Sequence, residues 1–305
     1  MPGLRSTFAL LVAVALLAPV GASAATPRCY GAAARDPFKP CFNPRLSLRV
    51  TPSPGKALLT PNAPCNRLQI RDLVRACWFG ARKRDGKVTV AVVGDSHASA
   101  WRAALRPLAI DRKWRGISNT HTSCAFSRVV SPGRTKANAR ECKTWNDETI
   151  AWFETHPEIT TVFVVNAVIP RPGFETQVQG YRRAWLALPH TVRHIIVVRD
   201  NPRMQADTPP CIEQAMRAKQ AAGPACARRR ATSLSPDPAV SAARRMHSKR
   251  IRAIDLSPFF CDATRCEPVI GGVLVYKDLT HITRAYGATL APYVLRELRR
   301  LKLPI

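Results

Sequence analysis

The period of apolar and polar positions alternates along most of this chain. Short β-branched runs occupy residues 87–93, 115–122, 159–168, 192–199 and 251–256, and segments with helical spacing lie between them near 98–110, 139–155, 174–187 and 236–248. A last helix is predicted over 283–301. Alternating strands and helices predict an α/β domain over 87–305, a parallel five-stranded sheet with helices on both faces. In such sheets, sites form at the carboxyl ends of the strands. Two stretches break the pattern. Residues 25–86 are rich in Pro, Arg and Cys and have little periodicity, so an irregular, disulfide-pinned lead-in is expected there. Residues 201–235 carry Pro202, Pro209, Pro210, Pro224, two cysteines and the run Arg228-Arg229-Arg230, and read as a loop inserted at the exit of the fourth strand. That loop either carries binding residues at the rim of the sheet or is an exposed insertion without a role.

The first 24 residues change the setting. Arg5, an apolar stretch from Phe8 to Val20 and the small residues of Gly21-Ala22-Ser23-Ala24-Ala25 have the pattern of a secretory signal peptide, with cleavage expected after Ala24. The stretch is interrupted by Pro19 and is shorter than the roughly 20 residues a membrane-spanning helix needs. No later segment reads as a span, so a secreted or periplasmic chain is expected. Ten cysteines then read as disulfides: Cys29, Cys41, Cys65, Cys77, Cys124, Cys142, Cys211, Cys226, Cys261 and Cys266. Connectivity is open from sequence, although pairs taken in order would each close a short loop. No Cys-x-x-Cys occurs and the histidines are scattered, so no metal site is expected.

With 47 Lys and Arg against 20 Asp and Glu, the formal charge is +27. Such a field attracts polyanions. Export and the lack of an aromatic-studded nucleic-acid module argue against DNA or RNA. Anionic envelope glycans or phospholipid surfaces are the better partners, and a merely solvated arginine-rich surface is the alternative.

The candidate chemistry sits at strand ends. Val88–Val93 runs into Gly94-Asp95-Ser96-His97 and then into a helix, a turn that presents the Ser96 hydroxyl at a helix N-terminus. Near the C-terminus, Asp278-Leu279-Thr280-His281 offers a general base and the carboxylate that orients it. Ser96 is the candidate nucleophile, His281 the base and Asp278 its orienting partner. Oxyanion donors are expected from the Ser96 N–H, from Asn166 at the end of the third strand and from Ser123 after the second. His97, His121 and Asp200 face the same rim and are candidate substrate contacts, although His97 also fits a role beneath the turn. Asp95 reads as a brace of that turn, and Trp101 as core or as a platform for a sugar ring.

These blocks resemble the SGNH hydrolase superfamily, and more narrowly the extracytoplasmic SGNH domain fused to type 3 membrane acyltransferases. The resemblance rests on Gly94–Ala98 with Trp101, Ser123-Cys124, Cys142 with Trp145, and Val275–His281 followed by Tyr286-Gly287-Ala288 and Leu290-Ala291-Pro292. It implies a three-layer α/β/α, flavodoxin-like fold, a triad at Ser96, Asp278 and His281, no cofactor, and O-acylation of a cell-envelope polysaccharide. It also departs from the family in two blocks. No glycine stands beside Ser123, and the Gly-x-Asn-Asp of the third block is reduced to Val164-Val165-Asn166-Ala167. The multi-span acyltransferase part has no counterpart in this sequence, so a membrane acyltransferase supplying the acyl group is an expected partner. An O-acetylesterase with the same triad and a non-catalytic basic glycan-binding protein are the competing expectations.

Overall fold

The structure, a computed structural model, describes residues 26–68, 76–129, 135–170 and 172–303. The expected leader, 1–24, lies outside the described residues. Seven strands form the central sheet: β1 (Asn66–Arg67), β2 (Ala76–Gly80), β3 (Val88–Gly94), β4 (Trp114–Thr120), β5 (Ile159–Val165), β6 (His194–Val198) and β7 (Ile251–Ile254). Their order is β1-β2-β4-β3-β5-β6-β7. Strands β4, β3, β5, β6 and β7 are parallel neighbours, which is the doubly wound 2-1-3-4-5 order of flavodoxin-like sheets. The five parallel strands are those the sequence pattern predicts, and each is buried on both faces.

Period-two alternation divides each strand between two cores. Val90 and Val92 of β3, Phe163 and Val165 of β5, and Ile196 and Val198 of β6 face one core. Ala91 and Val93, Val162 and Val164, and Ile195 and Val197 face the other. Helices α1 (Ser96–Asp111) and α6 (Arg284–Arg300) cover the first face with Trp101, Leu105, Tyr286, Leu290 and Val294. Helices α2 (Lys136–Glu154), α3 (Phe174–Leu186) and α5 (Pro238–Arg245) cover the second with Trp145, Phe153, Tyr181, Trp185 and Val240. Gly287 of α6 lets the first pair approach closely, since a Cβ there would lie 2.6 Å from that of Ala103.

Two expectations are corrected. The lead-in is not irregular throughout: Asn66–Arg67 and Ala76–Gly80 add an antiparallel pair to the β4 edge, pinned by the Cys65–Cys77 disulfide. Two residues of strand carry no readable period, and the β2 run Ala76-Cys77-Trp78-Phe79-Gly80 becomes a strand because β4 offers it an open edge. The insertion is not a bare loop either. It holds α4 (Thr208–Arg217), two single-turn helices, and a ribbon pairing Arg228–Arg229 with Arg265–Cys266. Proline at the start of α4 initiates that helix, although Pro209 and Pro210 read as loop signals in isolation.

All ten cysteines pair in chain order: 29 with 41, 65 with 77, 124 with 142, 211 with 226 and 261 with 266. No helix among the described residues is long and apolar enough to cross a membrane.

Candidate active site

The site is built at the carboxyl end of β3, where Gly94 makes the turn possible. Its φ is +147°, and a Cβ there would collide with the Val165 carbonyl of β5, so only glycine fits. The next residue, Asp95, caps α1. One carboxylate oxygen accepts from the His97 N–H at 2.9 Å, and the other accepts from the Ala167 N–H at 2.9 Å across the β5 exit. Ser96 is therefore the first residue of α1, held between a fixed glycine turn and a capped helix.

The base arrives from the other end of the chain. Thr283 caps α6 by accepting from the Tyr286 N–H, and its hydroxyl donates to the Leu274 carbonyl at 2.6 Å. That anchor fixes the segment just before it. Asp278 accepts through Oδ1 from the N–H groups of Thr280 and His281, and through Oδ2 from His281 Nδ1 at 2.8 Å. His281 Nε2 lies 2.8 Å from Ser96 Oγ. Burial alone would raise the Asp278 pKa, but hydrogen bonds from the His281 ring and from those two N–H groups outweigh it and hold the carboxyl well below the usual range. A carboxylate can only accept, so Nδ1 carries the proton and Nε2 is left to accept from the serine hydroxyl.

A second His–Asp pair lies beside the first. His97 Nδ1 donates to Asp200 Oδ1 at 2.5 Å, both side chains are buried, and the His97 and His281 ring centroids are 4.7 Å apart. Burial alone would strip the His97 proton. The Asp200 carboxylate, helped by Asp95 and Asp278, outweighs burial and pushes the ring up to about 9, so His97 is an imidazolium at neutral pH. Asp200 also accepts from the Val168 and Asn201 N–H groups. Its own N–H donates to Asp237, the cap of α5, whose pKa burial pushes up to about 6.

The remaining candidates are placed as follows. Asn166 accepts through its side-chain oxygen from the Phe126 N–H at 2.9 Å, and its Nδ2 is buried with no partner among the described residues. Ser123 is exposed and has a φ of +66°, the left-handed conformation that favours glycine. That backbone stands where the family pattern leads one to look for a glycine. His121 is tied through Nε2 to Glu141 at 2.9 Å and through Nδ1 to the Thr122 carbonyl, with its ring against Trp145. Both of its ring nitrogens are thus engaged. Trp101 is core, and its Nε1 donates to Asn201 Oδ1 at 3.1 Å. Asn201 then donates to the Thr280 carbonyl at 2.6 Å, linking α1 to the Asp278–His281 segment. The sequence reading missed this clamp; its one signal was a polar Asp200-Asn201 pair directly after an apolar strand. Among the described residues no group of three or more His, Cys, Asp or Glu is arranged to hold a metal ion.

A flavodoxin-like sheet with a Ser–His–Asp run at its carboxyl rim defines the SGNH class of acyl-transfer and esterase domains. Within that class, residues 64–296 match the family described as SGNH domain (fused to AT3 domains), and this chain belongs to that family. Among solved structures, the chain is similar to the periplasmic domain of a lipopolysaccharide acetyltransferase from Salmonella ser. Paratyphi A, with 15% identity and a TM-score of 0.54, covering 70% of this chain and 85% of that one. No curated protein sequence matches it.

Proposed function

We propose that this protein is an exported serine enzyme that transfers a short acyl group, acetyl in the simplest case, to a hydroxyl of a cell-envelope glycan. The observation that carries the reading is one continuous hydrogen-bonded run, Ser96 Oγ to His281 Nε2 and His281 Nδ1 to Asp278, at 2.8 Å for each step. In the first half-reaction Ser96 Oγ attacks the donor's acyl carbon and its proton passes to His281 Nε2. The tetrahedral oxyanion is met by the Ser96 N–H at the start of α1, by Asn166 Nδ2 and by the Ser123 backbone. Collapse breaks the bond to the donor's leaving oxygen, which takes the proton from His281 and departs, leaving acyl-Ser96. In the second half-reaction the glycan hydroxyl gives its proton to His281 Nε2 as its oxygen attacks the acyl carbon. Ser96 then leaves and recovers that proton.

The unpartnered, buried Asn166 Nδ2 supports the oxyanion assignment, since a buried donor without an acceptor costs stability unless a ligand fills the place. Export is supported by five disulfides and by the leader pattern. The family's fusion to AT3 domains supports a membrane acyltransferase as the source of the acyl group. Hydrolysis is the second reading. The His281 and Asp278 side chains are 22% and 35% exposed, so water reaches the base, and only a well-seated acceptor hydroxyl will outcompete it.

The test uses the disulfide-bonded mature protein and Ser96→Ala with p-nitrophenyl acetate, with and without envelope glycans, following nitrophenol release and glycan acetylation by mass spectrometry. Ser96-dependent acetyl on glycan is the expected result, and Ser96-dependent acetate alone makes the protein an esterase. Equal glycan acetylation by both proteins removes the enzymatic reading and leaves a basic glycan-binding protein.

A further inference from the structure

The Arg228-Arg229-Arg230 run is not part of the triad, and its setting is specific. It borders an open groove of about 800 Å³ whose walls come from the insertion and from residues 263–265, with Arg265 facing the run across the two-residue ribbon. Among the described residues no Asp or Glu lines this groove. Of its four arginines only Arg228 has a carboxylate partner among the described residues, Asp207 at 2.7 Å. Arg230 donates to the Asp262 carbonyl and the Ser257 hydroxyl, and Arg265 to the Ala227 carbonyl, all neutral acceptors. Among the described residues no side-chain partner meets Arg229, which is exposed. Among the described residues Arg229, Arg230 and Arg265 therefore carry no ion pair, and the carboxylate beside them, Asp262, is taken up by the Thr264 and Arg265 N–H groups.

The groove is also rigid and coupled to the site. The Cys211–Cys226 and Cys261–Cys266 disulfides close immediately beside the two strands of the ribbon. The insertion that carries it is stitched to the triad segment: the Met204 N–H donates to the Leu279 carbonyl at 2.7 Å, and Gln205, next in sequence, lines the groove. Further along the insertion, the carbonyl of Ser233, at the end of a single-turn helix, accepts from the Arg203 N–H at 2.8 Å. The groove wall at Gln205 is thus one residue away from a direct backbone bond to the segment that carries Asp278 and His281.

We infer that this arginine groove binds an acidic polysaccharide, holding a strand that carries carboxylate or phosphate groups so that a hydroxyl further along it reaches Ser96. Planar guanidinium forks match both anions, and Arg230 and Arg265, held by neutral acceptors, need neither to break an ion pair nor to be ordered from a free side chain on binding. The inference rests on the reading of the acceptor as a glycan and adds its charge class and its place of contact.

Binding is tested apart from catalysis, by fluorescence anisotropy of end-labelled oligogalacturonate, the same oligomer with its carboxyls methyl-esterified, and anionic phosphatidylglycerol vesicles. The proteins are the full mature chain, Ser96→Ala, Arg229→Glu/Arg265→Glu, and Lys83→Glu/Arg84→Glu as a control with the same change in net charge in the exposed turn before β3, away from the rim. The groove variant should lose about tenfold or more in affinity for the acidic oligomer, the control should stay within about twofold, and the esterified oligomer should bind weakly to all. Ser96→Ala should bind like the wild type. Thermal melts of the two double variants check that neither is unfolded. Equal weakening in both double variants, no binding of the acidic oligomer by the wild type, or groove-dependent binding of vesicles alone overturns the inference. A wild type that binds through the groove but shows no Ser96-dependent chemistry overturns the proposed reaction and leaves the groove standing.

Discussion

Asp200→Asn is the most informative single change, because it removes the charge that keeps a proton on a buried imidazole. His97 is raised from an ordinary value of 6.5 to about 9 in the folded protein. The unfolded chain has no such partner, so between these two values the native state binds more protons than the unfolded state. Stability then falls as pH rises. The contribution is fully present below pH 6.5 and is lost as pH passes through about 9. The shift corresponds to about 3 kcal/mol at about 1.4 kcal/mol per unit, and no solvent discount applies because both side chains are buried. In a domain of this size that is a fall in Tm of roughly 6 to 12 °C. The assay is urea unfolding of the oxidised protein at intervals from pH 6 to 10, in wild type and Asp200→Asn. The wild type should lose about 3 kcal/mol over the window, while the variant, whose His97 has lost the Asp200 charge and keeps only the weaker help of Asp95 and Asp278 against burial, should be lower at pH 6 and lose distinctly less. Parallel curves for the two proteins would refute the assignment of an Asp200-held imidazolium. Asp237, raised to about 6 by burial and in part by the Asp200 charge, titrates near the lower edge of the window and moves down in the variant, so the comparison is read above pH 7.

Two further outcomes bear on the reaction. Asn166→Asp keeps an oxygen for the Phe126 N–H but replaces the buried Nδ2 donor with an unpaired carboxyl, and kcat for p-nitrophenyl acetate should drop by about 10²–10³ together with a loss of stability from burying that group; an unchanged kcat would exclude Asn166 as an oxyanion donor. Asp278→Asn leaves the backbone contacts an acceptor but reverses the tautomer demanded of His281, and kcat should fall by about 10³–10⁴ at neutral pH. A variant retaining more than about a tenth of wild-type activity would mean that His281 is oriented by something else.

Much of this protein was legible because three of its five parallel strands are largely apolar runs. Val88–Val93, Ile159–Val165 and His194–Val198 are buried on both faces, so burial is written into each residue and the elements stand out from their surroundings. The β1 and β2 strands did not stand out, because an edge pair owes its conformation to the partner it finds rather than to its own period. The helices of the insertion were hidden by prolines that are turn signals in isolation and helix starters in place.

The site divides in the same way. Ser96, His281 and Asp278 were readable because each sits in a local device, a glycine turn before a capped helix or a carboxylate three residues from an imidazole, and local devices leave a signature in consecutive residues. The chain alone therefore determined the parallel α/β frame, the Gly94–Ser96 turn and the Asp278–His281 pair. Only the tertiary structure decided that His97 and Asp200, 103 residues apart, form a buried ion pair against His281, that Asn166 turns its amide nitrogen inward, and that the arginines of the insertion gather with Arg265 around one groove. These are properties of distance and desolvation between segments remote in sequence, and both come into existence only when the strands assemble and bring their carboxyl ends to one rim.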